Sequence, residues 1–245
     1  MELLKLENVT FSYNKDRVIL DNINILAGPG ENIGLIGANG AGKTTLLKLL
    51  VGLLYGYGGR ISVSGIEVIG KNYAEIRKRI GYVFQDSDSQ LFMTTVYEDI
   101  AFGPRNYGLS ETEVKRSVSK AMELTGCSHL KDRQIHKLSG GEKKIAAIAT
   151  VLAMDPQIII MDEPSNSLDP KNRRNLINVL NSLGCTKLIA SHDLDMIWDT
   201  CERVILLSNG KILADGPAKE VLSDERLLTG NSLELPLSAK LAKFL

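Results

Sequence analysis

The chain has 245 residues, 44% of them apolar and 24% charged, with Lys plus Arg and Asp plus Glu both at 29. This is an ordinary globular balance, enough for one large domain or two small ones. The zero formal net charge gives no support to a polyanion-binding surface, so no nucleic-acid partner is expected. Cys127, Cys185 and Cys201 show no paired metal spacing and read as buried, reduced thiols of a cytosolic protein. Residues 1–6 lack a signal-peptide core, and the longest mostly apolar run, 145–154, is too short to cross a bilayer. The expectation is a soluble chain whose membrane role, if any, needs another subunit.

In chain order, 3–13 and 18–27 predict a hairpin around the polar segment 14–17, with Phe11 and Tyr13 ending its first strand on one face. Residues 33–36 predict a buried strand, 37–45 a glycine loop, and 46–51 a helix that opens at Gly42. A glycine-rich turn at 55–59 leads to a short strand pair over 60–69 broken at Gly65, a helix over 73–79 and a strand over 81–84 ending at Gln85. Composition changes at Asp86, and from there to Met154 the chain reads as mostly helical, with polar loops at 86–89 and 126–136. Ser110 with Glu113, and Ser139 with Glu142, form capping boxes for helices running to about Thr125 and over 140–154. A parallel α/β core then resumes: strand 158–161 with Asp162-Glu163 at its end, helix 170–183 stopping at Gly184, and strand 187–190 followed by Ser191-His192-Asp193. A hairpin over 203–207 and 211–215 turns at Asn209-Gly210. A helix at 217–223 and a tail to Leu245 close the chain. Leu237, Leu241 and Phe244 fall on one side of that tail, which reads as a dimer contact, internal packing or a frayed end.

The stretch Gly37-Ala38-Asn39-Gly40-Ala41-Gly42-Lys43-Thr44-Thr45 satisfies the phosphate-loop pattern, in the strand–loop–helix context that gives it a mechanism. Its glycines let backbone amides converge on a polyanion, and the helix start adds free N–H groups and the positive end of the dipole. Lys43 supplies a charge for the outer phosphates and Thr44 a hydroxyl for Mg²⁺. Three strand ends carry chemistry, as open α/β sheets require. Asp162 can reach the Mg²⁺ held by Thr44, and Glu163 is free to orient a water or accept its proton. His192 could donate to the terminal phosphate, whereas His129 and His136 read as ordinary histidines. Gln85 reads either as a plain loop residue or as a contact to metal or water that moves with the helical insert. Tyr13 reads either as a hairpin aromatic or as a ring laid on a base. Leu138-Ser139-Gly140-Gly141-Glu142 is a second capped helix start, hence a second anion site, and makes sense if it serves a nucleotide bound to another molecule.

With these residues in place the sequence resembles the ATP-binding cassette ATPases, the motors of ABC transporters. The resemblance rests on Tyr13, residues 37–45, Gln85, 138–142, 158–163, the loop Ser167-Leu168-Asp169 and His192, in that order. It implies an α/β P-loop NTPase (RecA-like) core with an N-terminal antiparallel β subdomain and an inserted α-helical signature subdomain. An ATPase domain would then span 1–220, its core being 1–85 and 155–220 and its helical insert 86–154, with a helical tail at 221–245. It implies ATP and Mg²⁺ as cofactors, with Glu163, His192 and Gln85 catalytic and Thr44, Gln85 and Asp162 at the metal. Nucleotide contacts would come from Tyr13, Asn39, Gly40, Ala41, Gly42, Lys43, Thr44 and Thr45, and from Leu138, Ser139, Gly140, Gly141, Glu142 and Asp169. In the family two cassettes pair head to tail, so that each signature loop caps the ATP of the other.

A narrower likeness, carried by Gln90-Leu91-Phe92, by the run from Thr95 to Pro104 and by Leu233-Glu234-Leu235-Pro236-Leu237, is to the energy-coupling-factor group, including cobalt and nickel importers. It implies a second ATPase subunit, identical or paralogous, a transmembrane coupling protein whose helices dock near Gln85–Phe92, and a substrate-binding membrane subunit. The location would be the cytoplasmic face of the cell membrane, and the cargo a metal ion or vitamin. Two departures stand out. Ser87 replaces a usual Pro, which predicts a less rigid loop after Gln85. Ile145 replaces a usual Arg beside Lys144, which puts a local salt link in doubt. Two rivals remain: a soluble cassette ATPase acting on nucleic acid or ribosomes, disfavoured by the missing basic patch and coiled-coil insert, and a phosphate-loop kinase, disfavoured by 138–142.

Overall fold

The computed structural model describes residues 2–14, 17–166 and 168–242. Ser167 and Phe244, both singled out above, lie outside the described residues.

Strands β1 (Leu4–Ser12) and β2 (Val18–Ala27) pair antiparallel from Leu4↔Ala27 to Ser12↔Val18. Strict alternation from Leu4 and Leu6 would turn Asn8 inward. Instead Asn8 takes a left-handed φ of 50° and the register shifts, so that Val9 and Phe11 point into the core. After β3 (Asn32–Ile36) and α1 (Lys43–Leu50), β4 (Gly58–Val63) and β5 (Ile66–Glu67) complete a four-stranded sheet of order β2-β1-β4-β5. Helix α2 (Tyr73–Arg79) leads into β6 (Ile80–Val83).

Helices α3 (Val96–Asn106), α4 (Glu111–Thr125) and α5 (Gly140–Leu152) follow and pack on one another around Ile100, Val118, Met122 and Ala146. Both expected capping boxes are formed, Ser110 with Glu113 and Ser139 with Glu142. The chain then returns to the core through β7 (Ile158–Asp162), α6 (Pro170–Ser182), β8 (Thr186–Ala190), α7 (Leu194–Thr200), β9 (Arg203–Ser208) and β10 (Lys211–Pro217). Short helices α8 (Ala218–Val221), α9 (Glu225–Thr229) and α10 (Leu237–Ala242) end the described chain.

The six-stranded sheet has the order β10-β9-β3-β8-β7-β6, parallel throughout except for the β9–β10 hairpin. Strands β7 and β8 are buried along their whole length; β7 is the branched apolar run that a central parallel strand calls for, while β8 also buries Thr186 and Lys187, whose Nζ donates to the Leu183 carbonyl at 2.6 Å. Alternate residues face opposite layers. Ile158, Ile160 and Leu188 meet α1 and the antiparallel sheet, while Ile159, Met161 and Ile189 meet α6, α7 and the tail residues Leu228, Leu233 and Leu235. The mixed antiparallel and parallel α/β architecture agrees with the P-loop fold class expected from sequence.

Several local expectations need correction. The first strand stops at Ser12, so strand alternation does not govern Tyr13. Phe11 is buried and Tyr13 is 56% exposed, although their rings meet edge to face at 5.0 Å. Gln85 lies two residues past β6, and Asp162 is the last residue of β7 rather than beyond it. Helix α7 was not anticipated; it is short and starts directly on Asp193, whose side chain accepts from the Met196 N–H. The last helices are shorter than expected, α5 ending at Leu152, α6 at Ser182 and α8 at Val221. Cys185 is only half-buried, while Cys127 and Cys201 are buried. No helix among the described residues is long and apolar enough to cross a membrane.

Candidate active site

The phosphate loop leaves β3 and turns into α1 at Gly42, whose φ of 108° is open to glycine and strained for other residues. A Cβ there would also sit 2.8 Å from Leu20 Cδ2 and 3.1 Å from the Ile19 carbonyl, so the loop is pressed against β2. No side chain caps α1, which leaves its first N–H groups for an anion. Lys43 is buried, and its Nζ reaches back to donate to the carbonyls of Gly37 at 2.7 Å and Ala38 at 3.2 Å. Burial pushes its pKa down, and the nearby Glu163 and Asp162 carboxylates work against that shift.

Asp162 ends β7 directly beneath this loop. Burial pushes its pKa up, while the Thr44 hydroxyl beside it favours the charged form. Its Oδ1 has no hydrogen-bond partner among the described residues, and the Tyr82 hydroxyl approaches Oδ2 at 3.5 Å. An orphaned buried carboxylate oxygen beside the Thr44 hydroxyl is the donor chemistry that a hard divalent cation such as Mg²⁺ takes.

Glu163 follows in a left-handed conformation, φ 47°, rare for a residue with a side chain and a feature of functional strand ends. That turn aims its carboxylate at the end of β8. The His192 backbone N–H donates to Oε2 at 3.1 Å, and the ring Nδ1 lies 2.7 Å from the same oxygen. With Nδ1 donating to Glu163, Nε2 can donate onward only in the doubly protonated ring. The expected donation from His192 to a phosphate therefore depends on that form. His192 is itself held from behind: Asp193 accepts two hydrogen bonds from Arg173, at 2.6 and 2.7 Å, which fixes the start of α7 to α6.

Apart from Asp162, which is buried and does not line it, these groups meet in one cleft of about 480 Å³, a size suited to a small ligand. Its walls include Tyr13, Asn39, Gly40, Ala41, Gly42, Lys43, Thr44, Thr45, Gln85, Glu163 and His192, all singled out from sequence. The Tyr13 hydroxyl lies 3.1 Å from Thr45 Oγ1, which holds the ring at the mouth of the loop. Sequence reasoning missed Arg17, Ile19 and Asn166, which also line the cleft. Arg17 carried a weak signal as a cation in the polar linker next to Tyr13; Ile19 and Asn166 carried none.

The second group of expected residues lies elsewhere. Ser139, Gly141, Glu142 and Asp169 line a different and larger cleft, of about 840 Å³, between α4 and α6. Gly140 borders a third with Gln85 and Lys144, and Leu138 is buried among the helices. The Ser139 N–H donates to Glu142 Oε2 at 2.7 Å, and Arg133 braces Glu142 at 3.1 Å. Asp169 caps α6, its Oδ1 accepting from the Asn172 N–H at 2.9 Å and its Oδ2 from Asn172 Nδ2 at 2.6 Å. Within one chain the phosphate loop and the 138–142 helix start do not share a cleft.

The two departures resolve locally. Ile145 packs into the helical core, and Lys144, not an arginine, turns inward to donate to the carbonyls of Gln85 and Phe84. The loop after Gln85 is pinned without proline. The Ser89 hydroxyl donates to Asp86 at 2.7 Å, the Asp88 N–H donates to Asp86 at 3.0 Å, and Lys143 pairs with Asp88 at 2.5 Å.

The comparisons agree with this geometry. A family model described as ABC transporter matches residues 20–166. A protein of Carboxydothermus hydrogenoformans named energy-coupling factor transporter ATP-binding protein EcfA is 40% identical over 241 residues, 97% of this chain and 89% of that one. A protein of the same name from Methanothermobacter thermautotrophicus is 41% identical over 244 residues, 98% of this chain and 78% of that one. The solved structure of cbiO1 from Clostridium perfringens, part of the ABC transporter complex cbiONQ, superposes with a TM-score of 0.85 at 36% identity and 99% coverage of both chains.

Proposed function

The chain belongs to the ABC transporter ATP-binding family and is an ATPase of the energy-coupling-factor type; from that premise we propose that it powers uptake of a transition metal ion, cobalt or nickel, or a vitamin, through separate membrane subunits. The observation that carries this reading is the separation of the two anion sites. Lys43, Thr44, Glu163 and His192 line one cleft, the place proposed for one triphosphate, and the capped start of α5 at Ser139 and Gly140 lies outside it. A second ATPase subunit, facing head to tail, uses that helix start to close the first subunit's site.

In the proposed reaction the N–H groups of 40–45 and the Lys43 ammonium bind the β- and γ-phosphates. Lys43 gives up its bonds to Gly37 and Ala38 to do so. Glu163 orients a water in line with the γ-phosphorus and accepts its proton, while His192 holds the Glu163 carboxylate in place. Thr44, Asp162 and Gln85 would hold Mg²⁺, which when bound neutralises charge on the phosphate oxygens.

The site for the transmembrane coupling protein is proposed at the exposed pair Phe92 and Phe102, whose rings meet at 4.9 Å. Asp99 holds this corner, its two oxygens accepting from the backbone N–H groups of Phe92 and Met93 at 3.2 and 3.0 Å. An apolar pair kept in the open by a buried carboxylate supports a protein partner there. In this reading the chain sits peripherally on the cytoplasmic face of the membrane. The test is affinity isolation from detergent-solubilised membranes, with identification of the bound proteins. The wild-type chain brings down a multispanning coupling protein and a substrate-binding membrane subunit, and Phe92→Ala with Phe102→Ala loses both while still binding ATP. Recovery of nucleic acid or ribosomes instead contradicts the reading.

A further inference from the structure

The backbone of Phe84 and Gln85 is held to α5 from both sides. The Phe84 N–H donates to Gln90 Oε1 at 3.0 Å, and Gln90 Nε2 donates to the Ala147 carbonyl at 2.8 Å and the Thr150 hydroxyl at 3.0 Å. From the other side Lys144 Nζ donates to the Gln85 carbonyl at 2.7 Å and the Phe84 carbonyl at 3.2 Å. Lys144 is 3% exposed. A lysine ammonium has three donors and no acceptor, and its burial is costly unless oxygens meet it. The carboxylates whose charge supports it are Asp86 and Asp162, against a burial that pushes its pKa down. An apolar residue would pack at this position on an otherwise apolar helix face with less desolvation. What the lysine adds is a fixed place for the Gln85 peptide.

We propose that Lys144 is a positioning residue for ATP hydrolysis, tying the backbone of Gln85, whose side chain lines the nucleotide cleft, to the helix that opens at Ser139 and Gly140, so that the two move together. This rests on the roles given to Gln85 and to that helix start under Proposed function. Lys144 follows Ser139 by five residues, about 7.5 Å along a helix axis. A displacement of Gln85 by nucleotide therefore reaches the loop that serves the partner's nucleotide through one buried ammonium and less than two helical turns. Occupancy of one site is felt at the other, which is a coupling between two distinct sites.

The test compares Lys144→Met, one bond shorter than lysine and without any donor, with Lys144→Gln, of the same length as Met but with an amide that still donates. In the assembled complex, Lys144→Met lowers kcat about 10- to 100-fold, the scale of a misplaced active-site group. Lys144→Gln lowers it less, the Hill coefficient for ATP falls toward unity, and KM and the ATP dissociation constant stay within about twofold of wild type. In a Gln85→Ala background the Lys144 substitutions lower kcat no further. A Lys144→Met enzyme with kcat within about twofold of wild type, or losses that simply add to that of Gln85→Ala, overturns the proposal. Where Lys144→Met shows no thermal unfolding transition, the same cycle run with Lys144→Gln decides. A wild-type complex that does not hydrolyse ATP contradicts the proposed function instead, and no Lys144 variant produces that result.

Discussion

His192 Nδ1 lies 2.7 Å from Glu163 Oε2, and the His192 backbone N–H reaches the same oxygen at 3.1 Å, so two contacts from the end of β8 fix one carboxylate at the end of β7. Glu163→Gln preserves the shape and still offers an oxygen to the His192 N–H, but it cannot take a proton from water. Turnover falls by about 10²- to 10⁴-fold, the usual contribution of a positioned base. ATP binding by calorimetry is unchanged, and the variant accumulates as a closed pair in the presence of ATP. An ordinary hydrolysis rate in the assembled complex removes Glu163 from the role.

Gly141 marks where α5 crosses α6. A Cβ built there meets Asn172 Cγ and Nδ2 at 2.4 Å, and Asn172 cannot swing away freely because its Nδ2 is bonded to Asp169. Gly141→Ala therefore costs about 1–3 kcal/mol by overpacking, read as a lowered denaturation midpoint. Asn172→Ala restores part of the loss in the double variant, since the offending atoms are gone. Equal stability of Gly141→Ala and wild type contradicts the close crossing.

The Arg173–Asp193 pair carries a pH signature. Burial alone raises the Asp193 carboxyl, but the Arg173 guanidinium, the Met196 N–H and the Ser165 hydroxyl outweigh it and hold the group below its ordinary value of 3.8. The unfolded chain then binds this proton more readily than the folded one. The stabilisation is complete above pH 3.8 and is lost as pH falls through the lowered folded value. Asp193→Asn is less stable than wild type by about 1.5–3 kcal/mol at neutral pH, and the gap narrows in acid below that point. A gap of the same size at pH 7 and pH 3 sinks the assignment.

Much of the site was legible because its chemistry sits at strand ends. A short, β-branched apolar run such as 158–161 fits a buried strand of a parallel sheet better than a helix, and whatever polar residue ends it is delivered to one edge. The Ser139–Glu142 capping box was readable for the same local reason. What stayed hidden was tertiary. The left-handed turn at Glu163 that swings it to His192 has no local signature, and α7 is a single short helix whose start depends on Arg173 reaching across from α6. The bonds that the loop after Gln85 receives from Ser89, Lys143 and Lys144 were hidden as well, because the local cue there was only the missing proline.

The split of the reaction between two copies is tested most directly at Ser139. Its hydroxyl accepts from the Glu142 N–H and it opens α5 outside the cleft of its own phosphate loop. In Ser139→Arg, measured in the assembled complex, the ATP dissociation constant of the phosphate-loop site stays at the wild-type value while hydrolysis is abolished, because the partner's nucleotide can no longer be closed over. Full hydrolysis in that variant, or loss of ATP binding together with hydrolysis, contradicts the account.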